Sequence, residues 1–415
     1  MSRTHTVVRG ALLLGAIAAF AACSSNDTIF GLTPVNPIFT SYVALGNSIT
    51  AGYQSGGIND STQKQSYALL LAKQMNTRFA YPSLKMPGCP PPVNNLLTQS
   101  RVTLAGQPAS TSTTCAYRDT NSVKLTLNNV AVPGIASADP TAVGGTAANA
   151  NNALVELILG GKTMVQKALD AQPTFASVWV GNNDILGPAT SGLPSSATAV
   201  NTFSANYATM MNQLVAGAPL LKGVLVGVVQ VAQVPLLFQA GVLTNPAVAA
   251  AAAQVAGRPV VLDPTTCAGN NAGALVAFPY LVAIRNRPAA QPGTVFCQPV
   301  AGGGVNDPGD NGILDLTEQA FVSARITAYN AYIKAKADSL GFAYYDPNPT
   351  LAALKADPTK VPPFPNLAST TAPFGQYFSL DGVHPSALAH MVIANGIMTA
   401  INAKYATTLV LLPVP

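Results

Sequence analysis

Short apolar runs and stretches of helical period alternate along most of this 415-residue chain. Tyr42 to Leu45 is an apolar run that stops at Gly46 and reads as a short buried strand; a small polar triplet and then Gly52 follow it. Ser66 to Met75 has helical period, with Tyr67, Leu70, Leu71 and Met75 on one face. An irregular region covers roughly 80–120, and Leu125 to Val132 is a strand-like run broken by Pro133-Gly134. The spacing predicts one amphipathic helix over 152–170, with Leu154, Ile158, Val165 and Leu169 near one face. Phe175 to Val180 is a second buried strand, ending at Gly181-Asn182-Asn183-Asp184. Helical period returns over Thr198 to Val215, and Gly223 to Val231 is apolar enough for a central parallel strand. From Pro235 to Asn311 the rhythm fails, apart from an Ala-rich helix near Ala247 to Val255. Helix resumes over Leu316 to Leu340, then a strand, Phe342 to Tyr345, then the turn Asp381 to Pro385 and a helix to about Tyr405.

Alternating strands and helices of this kind predict an α/β fold: a doubly wound parallel sheet in three αβα layers, with helices on both faces. A structureless loop as long as the interrupted stretch is rare in a compact domain, so about 235–315 reads as an inserted subdomain of one domain spanning 41–405. Residues 406–415 are a C-terminal tail, and no internal repeat is visible.

Composition changes the picture in one respect. Only 9% of residues are charged, against about 25% in ordinary soluble domains, which suits an exported protein. The net charge of +5 is scattered without a Lys/Arg-rich run, which points away from nucleic acid as a partner. Residues 1–22 read as a signal peptide: Arg3 and Arg9 precede an apolar stretch, Gly10 to Ala22, too short to span a bilayer. The run Phe20-Ala21-Ala22-Cys23 resembles a bacterial lipobox, which would make Cys23 a lipidated N-terminus; ordinary signal-peptidase cleavage near Ala22 is the other reading. On the first reading, acyl chains hold the protein to a membrane surface in the periplasm or on the outer membrane or cell surface, with 23–40 as a Pro-containing tether. Cys89, Cys115, Cys267 and Cys297 remain, and sequence permits three pairings. Loop closure favours the local bridges Cys89–Cys115 and Cys267–Cys297.

The histidines narrow the chemistry. There are three, His5, His384 and His390, and the first leaves with the signal peptide. Only His384 has a carboxylate at short spacing, Asp381, on a Gly-containing turn; Pro385 after it suits the first position of a helix. Such a carboxylate can fix the ring tautomer so that Nε2 serves as a base. His390 falls inside the following helix and reads as a packed or surface residue.

A histidine base needs a nucleophile and oxyanion donors on loops that follow strands. The turns carrying Ser48, Gly134 and Asn183 meet that condition, and with Asp381 and His384 they resemble the SGNH, or GDSL-type, serine hydrolases. Gly46-Asn47-Ser48-Ile49-Thr50-Ala51-Gly52 is similar to the family's first block, with Ser48 as nucleophile. Asn129-Val130-Ala131-Val132-Pro133-Gly134 resembles the second, and Gly181-Asn182-Asn183-Asp184 the third, where the Gly134 N–H and the Asn183 side chain would be oxyanion donors beside the Ser48 N–H. Asp381-Gly382-Val383-His384-Pro385 resembles the block that supplies Asp and His. The family usually has Asp before the nucleophile; here it is Asn47, which keeps an acceptor oxygen and loses the charge.

What the resemblance implies is a hydrolase of carboxylic esters, working by acyl transfer without a metal or other cofactor. Its substrates would be lipid or short-chain acyl esters, or O-acetyl groups of polysaccharide. From their apolar composition alone, Phe278 and Tyr280 of the insertion read either as lid residues or, equally, as packing within the insertion. The alternative is a catalytically silent surface lipoprotein of the same fold that binds glycan or a partner protein. A last pattern overlays an EF-hand loop: Asp307, Asn311, Asp315 and Glu318 fall at ligand places for calcium, although Asp315 and Glu318 also fit a helix capping box. Oligomeric state is not legible in the sequence.

Overall fold

A computed structural model of the chain describes residues 32–105, 126–143, 153–288, 293–298 and 312–414. The signal segment, Cys23, Cys115, Asp307 and Asn311 lie outside the described residues. All elements below belong to the compact unit that begins at Thr33.

The apolar runs form a parallel sheet of four strands, β1 (Tyr42–Gly46), β2 (Phe175–Trp179), β3 (Lys222–Val226) and a last strand at Ala343–Tyr345, in that spatial order. Alternation along each strand sends neighbouring side chains to opposite faces. Val43, Leu45, Ala176, Val178 and Leu225 pack in one apolar cluster, and Tyr42, Ala44, Phe175, Trp179, Val224 and Val226 in another. Both faces are covered, as the unbroken apolar runs require. The αβα layering expected from the sequence is the observed one.

Before β2 the chain forms α1 (Ser48–Ala51), α2 (Asp60–Gln63), α3 (Tyr67–Met75), α4 (Ala153–Leu159) and α5 (Met164–Leu169). After it come α6 (Asn183–Ser191) and α7 (Val200–Gly217). The single helix expected over 152–170 is two, because Gly160 and Gly161 adopt φ of 58° and 77° and Thr163 caps a fresh start. The third run, expected to extend to Val231, ends as a strand at Val226.

Leu125 to Val132 is also not a regular strand. Leu125 lies outside the described residues, and the rest joins β1 through one bridge, Ala44 with Asn129. Ladder bonds do run along it, from Ala44 N–H to Asn128 O, Val130 N–H to Ala44 O and Val132 N–H to Gly46 O. Asn128 and Asn129 explain the irregularity, since their side chains take over backbone partners: Asn128 donates to Tyr42 O and accepts from Ala80 N–H, and Asn129 donates to Thr50 O. Counting this edge, the strands run second, first, third, fourth, fifth across the sheet, the flavodoxin-like order, with its switch point beside β1.

The interrupted stretch holds short strands and helices of its own: β4 (Leu237–Gln239), α8 (Pro246–Ala256), β5 (Val260–Leu262), β6 (Leu275–Ala277), α9 (Phe278–Arg285), β7 (Gly293–Val295) and β8 (Ile313–Leu314). Strands β4, β6 and β8 make one small sheet, β5 and β7 another. Their side chains build a separate core with Phe364, Phe374 and Phe378. Cys267 and Cys297 are bridged across a separation of 30 residues, and Cys89 is also disulfide-bonded. Replacing both Cys267 and Cys297 by Ser is expected to cost about 3–4 kcal/mol, the loop-closure entropy of a bridge of that span. Urea denaturation of the oxidised wild type and the double variant checks it.

The chain returns to the main sheet through α10 (Leu316–Leu340) and β9 (Ala343–Tyr345), then α11 (Asn348–Lys355) and α12 (Ala387–Tyr405). Helices α3 and α12 cover one face of the sheet; α4, α5, α7 and α10 cover the other. Helix α10 begins at a full capping box: Asp315 Oδ1 accepts from Glu318 N–H, and Glu318 Oε2 accepts from Asp315 N–H. Those two acids therefore serve the helix start, as the second reading of the EF-hand-like pattern has it.

Candidate active site

Three segments leave adjacent strands at the same edge of the sheet. Gly46 of β1 pairs with Trp179 of β2, and Val132 N–H bonds to Gly46 O. The residues that follow, Ser48, Gly134 and Asn183, are thereby delivered to the carboxyl edge beside the switch point, where open α/β sheets keep their ligands.

Ser48 is the first residue of α1. Asn47 caps that turn, its Oδ1 accepting from Ile49 N–H at 3.2 Å, while Asn129 holds Thr50 O from the neighbouring edge. Asn47 thus does the capping work of an aspartate, but its buried Nδ2 has no partner among the described residues.

His384 and Asp381 come from the far end of the chain. Their turn is closed by a bridge between Phe378 and Pro385 and by bonds from Ser379 N–H to His384 O and from Gly382 N–H to Ser379 O. Gly382 sits at φ 67°, and a Cβ there would come within 2.9 Å of the Phe374 ring. Pro385 is not the first residue of the following helix, as expected; Ser386 caps it and α12 starts at Ala387, because Pro385 is engaged with Phe378.

The two ends meet through the imidazole. His384 Nε2 lies 2.9 Å from Ser48 Oγ, and His384 Nδ1 lies 2.8 Å from Asp381 Oδ2. A carboxylate only accepts, so Nδ1 carries the proton and Nε2 turns its lone pair to the serine. Asp381 is heavily supported. Its Oδ1 accepts from Ser379 Oγ–H, Val383 N–H and His384 N–H, and its Oδ2 accepts from Gly56 N–H and His384 Nδ1–H. Burial alone would push this carboxyl up, but the charge of His384 and these hydrogen bonds hold it well below the usual carboxylate range. It stays ionised throughout the neutral range.

Tyr53 packs against the imidazole, ring centroids 4.9 Å apart, and burial with the nearby Asp381 charge pushes its phenol up to about 12. Arg101 donates to Gly56 O and Pro91 O, bracing the loop whose N–H reaches Asp381. Asn183 donates to Ile135 O at 2.7 Å, tying the third loop to the one that carries Gly134. Among the described residues neither the Ser48 N–H nor the Gly134 N–H has a protein acceptor. Asp184 beside Asn183 is buried and accepts from Ser137 N–H and Oγ–H; burial raises its carboxyl.

The structure therefore brings Ser48, His384 and Asp381 together, with Gly134 and Asn183 on the adjoining loops. Phe278 and Tyr280, 3% and 4% exposed, pack in the core of the 237–314 segment, and Phe278 also lines a cavity of about 470 Å³ together with Gly56, Arg101 and Asp381. Among the described residues no group of three or more His, Cys, Asp or Glu could hold a metal ion. Tyr53, Ser379 and the Gly56 N–H escape the sequence reading. A backbone donor leaves no mark in a sequence, and the two side chains stand out only once the turn is folded.

His390 is fully buried. Its Nδ1 accepts from Tyr67 N–H, the first donor of α3, and burial, with the nearby His384 charge, lowers its pKa to about 3. Because the unfolded chain takes up this proton near pH 6.5 and the native state only near 3, stability is complete above 6.5 and falls as pH drops toward 3. The expected slope is about 1.4 kcal/mol per pH unit. In His390→Asn, whose side-chain oxygen can keep the Tyr67 bond, the slope measured by denaturation between pH 6 and about pH 4 should shrink by one proton.

A family model for GDSL-like lipases and acylhydrolases matches residues 42–397. No curated protein matches the chain. Among solved structures it is similar to the extracellular lipase of Streptomyces rimosus, at 15% identity and a TM-score of 0.36, over 88% of this chain and 99% of that one. The family match spans most of the chain and takes in all four loops of the site, and on that match the chain belongs to the GDSL-like lipase/acylhydrolase family.

Proposed function

We propose that this acylhydrolase cleaves carboxylic esters with Ser48 as nucleophile. The observation that carries the reading is the position of His384, within hydrogen-bond reach of Ser48 Oγ on one side and Asp381 Oδ2 on the other. Ser48 Oγ attacks the ester carbonyl and His384 Nε2 takes its proton. Asp381 keeps the ring in its Nδ1–H tautomer and stabilises the imidazolium. The oxyanion is received by the Ser48 N–H, the Gly134 N–H and the Asn183 amide; the first two are free for it, and the Ile135 bond orients the third while leaving its second N–H available. His384 then protonates the departing alcohol, and water releases the acid by the reverse sequence.

Hydrolysis of a panel of p-nitrophenyl acyl esters and O-acetylated glycans tests the assignment. Release of acid from any of them supports it; no release from any, by folded protein, contradicts it.

Export belongs to the same proposal. Residues 1–22 carry the charge and apolar pattern of a signal peptide, and bridged Cys267 and Cys297 suit an oxidising compartment. Lipidation at Cys23 would then hold the enzyme to a membrane surface. Metabolic labelling with an alkynyl fatty acid, lost in Cys23→Ser, is the expected result; equal labelling of the variant would rule it out.

A further inference from the structure

The cavity of about 470 Å³ lies among the 55–56 turn, the 93–101 loop, α9 and the turn that carries Asp381. Val93, Leu96, Phe278, Val282 and Leu380 make much of it apolar, and its two charged residues are Arg101 and Asp381. None of Ser48, Tyr53, His384, Gly134 or Asn183 is among its walls, so it meets the triad only from the Asp381 side. The two charges are not equally met. Asp381 already accepts from His384, Ser379, Val383 and Gly56. Arg101 is half-buried, and its Nη1 donates to Gly56 O at 2.8 Å and to Pro91 O at 2.6 Å. Those two bonds use both Nη1 hydrogens. Among the described residues, the Nε–H and the Nη2 hydrogens have no acceptor, and no carboxylate pairs with the guanidinium.

We propose that this cavity is a second ligand site, which takes an amphipathic anion: a carboxylate or phosphate borne on an apolar chain or ring and anchored by Arg101. Its volume falls in the range of small-molecule sites, roughly 300–1,000 Å³, and like them it is apolar with a few placed polar groups. The unused N–H groups of a guanidinium match the paired oxygens of a carboxylate or phosphate. The apolar walls remove an attached chain from water. A cationic ligand would meet Arg101 as a like charge and find the Asp381 oxygens already engaged. A neutral one would leave the half-buried guanidinium unanswered. Occupancy also bears on the triad acid. Ser55 and Gly56 adopt φ of 55° and 64° in a two-residue turn, closed by bonds from Gln54 N–H to Gly57 O and from Gly57 N–H to Gln54 O. That turn aims Gly56 N–H at Asp381 Oδ2 and Ser55 N–H at Ser379 Oγ. A ligand held by Arg101 against Ser55 and Gly56 therefore braces the groups that hold Asp381.

The test measures binding of octanoate, octyl phosphate, octanol and octylammonium to the full chain by calorimetry and thermal unfolding. None of these probes is a carboxylic ester, so the result is independent of the Ser48 chemistry. At least one anion should bind roughly tenfold or more tightly than octanol and octylammonium, and at a hundred times its Kd should raise the unfolding temperature by about 3 °C. Tighter binding of octanoate identifies the head group as a carboxylate, and tighter binding of octyl phosphate identifies it as a phosphate. Arg101→Gln should weaken the anion by about thirtyfold and leave octanol unchanged. Because Arg101 also braces Gly56, a second variant carries the test if the first fails to fold. Asn286 is exposed and lines the cavity, and Asn286→Glu sets a like charge against the anion, which should weaken it roughly tenfold. No binding of either anion, equal binding of all four probes, tightest binding of octylammonium, or wild-type anion affinity in the folded variants would overturn the site.

Discussion

Ser48→Ala is expected to lower turnover of an acyl ester by roughly 10⁴- to 10⁶-fold and to leave the fold intact. The two halves of that result have separate causes. Chemically, Ser48 Oγ is the hydroxyl poised 2.9 Å from His384 Nε2, and without it the oxyanion donors can assist only direct attack by water. Structurally, the hydroxyl supports little. The turn is capped by Asn47 and held from the side by Asn129, and the one bond removed is worth about 1 kcal/mol. Turnover and thermal unfolding measured on one preparation separate loss of chemistry from loss of fold. A variant with activity within tenfold of wild type would end the assignment of the nucleophile.

Asp381→Asn is expected to lower kcat by about 10⁴-fold and, unlike Ser48→Ala, to destabilise the protein as well. The asparagine has one acceptor oxygen where five donors converge. Placed at Oδ1, that oxygen keeps the bonds from Ser379, Val383 and the His384 N–H. The amide NH₂ then faces Gly56 N–H and His384 Nδ1. Nδ1 must give up its proton and accept, the proton moves to Nε2, and the ring can no longer act as base toward Ser48. Flipped, the amide would preserve the tautomer at the expense of three donors rather than one backbone donor. The first orientation is favoured, and it is the inactive one. Unpaired donors in this pocket should cost about 2–4 kcal/mol. Turnover against pH and the urea midpoint of the variant provide the two readings. Activity near wild type would mean that the carboxylate does not set the tautomer.

How much of this was legible in the sequence depended on the kind of interaction. Strand–turn–helix junctions were visible because an apolar run must end where the backbone leaves the sheet, and the residues of the triad and the candidate oxyanion donors stand just past such ends or on the Asp381–His384 turn. Those positions could be named before any coordinate. The edge stretch around Asn129 was misread as a regular strand because its apolar content, Val130 and Val132, matches a strand while its asparagines bond sideways. The 152–170 helix was misread because hydrophobic period carried across Gly160-Gly161. The support of Asp381 was invisible for a third reason: it is built from Gly56, Ser379, Val383 and His384, residues separated by as many as 328 positions and contributing mostly backbone donors. The core of the 237–314 segment lacks a single period, since it mixes two small sheets with two helices, so its sequence announced only an interruption.

The reactivity of Ser48 bears most directly on the catalytic assignment. Purified protein is treated with a fluorophosphonate, digested and read by mass spectrometry, beside His384→Ala handled identically. Phosphonylation of Ser48 in the wild type, lost in the variant, is the expected result, because Oγ becomes nucleophilic only when Nε2 can take its proton. Folded wild-type protein that remains unlabelled at Ser48, or a variant labelled as fast as wild type, would contradict it.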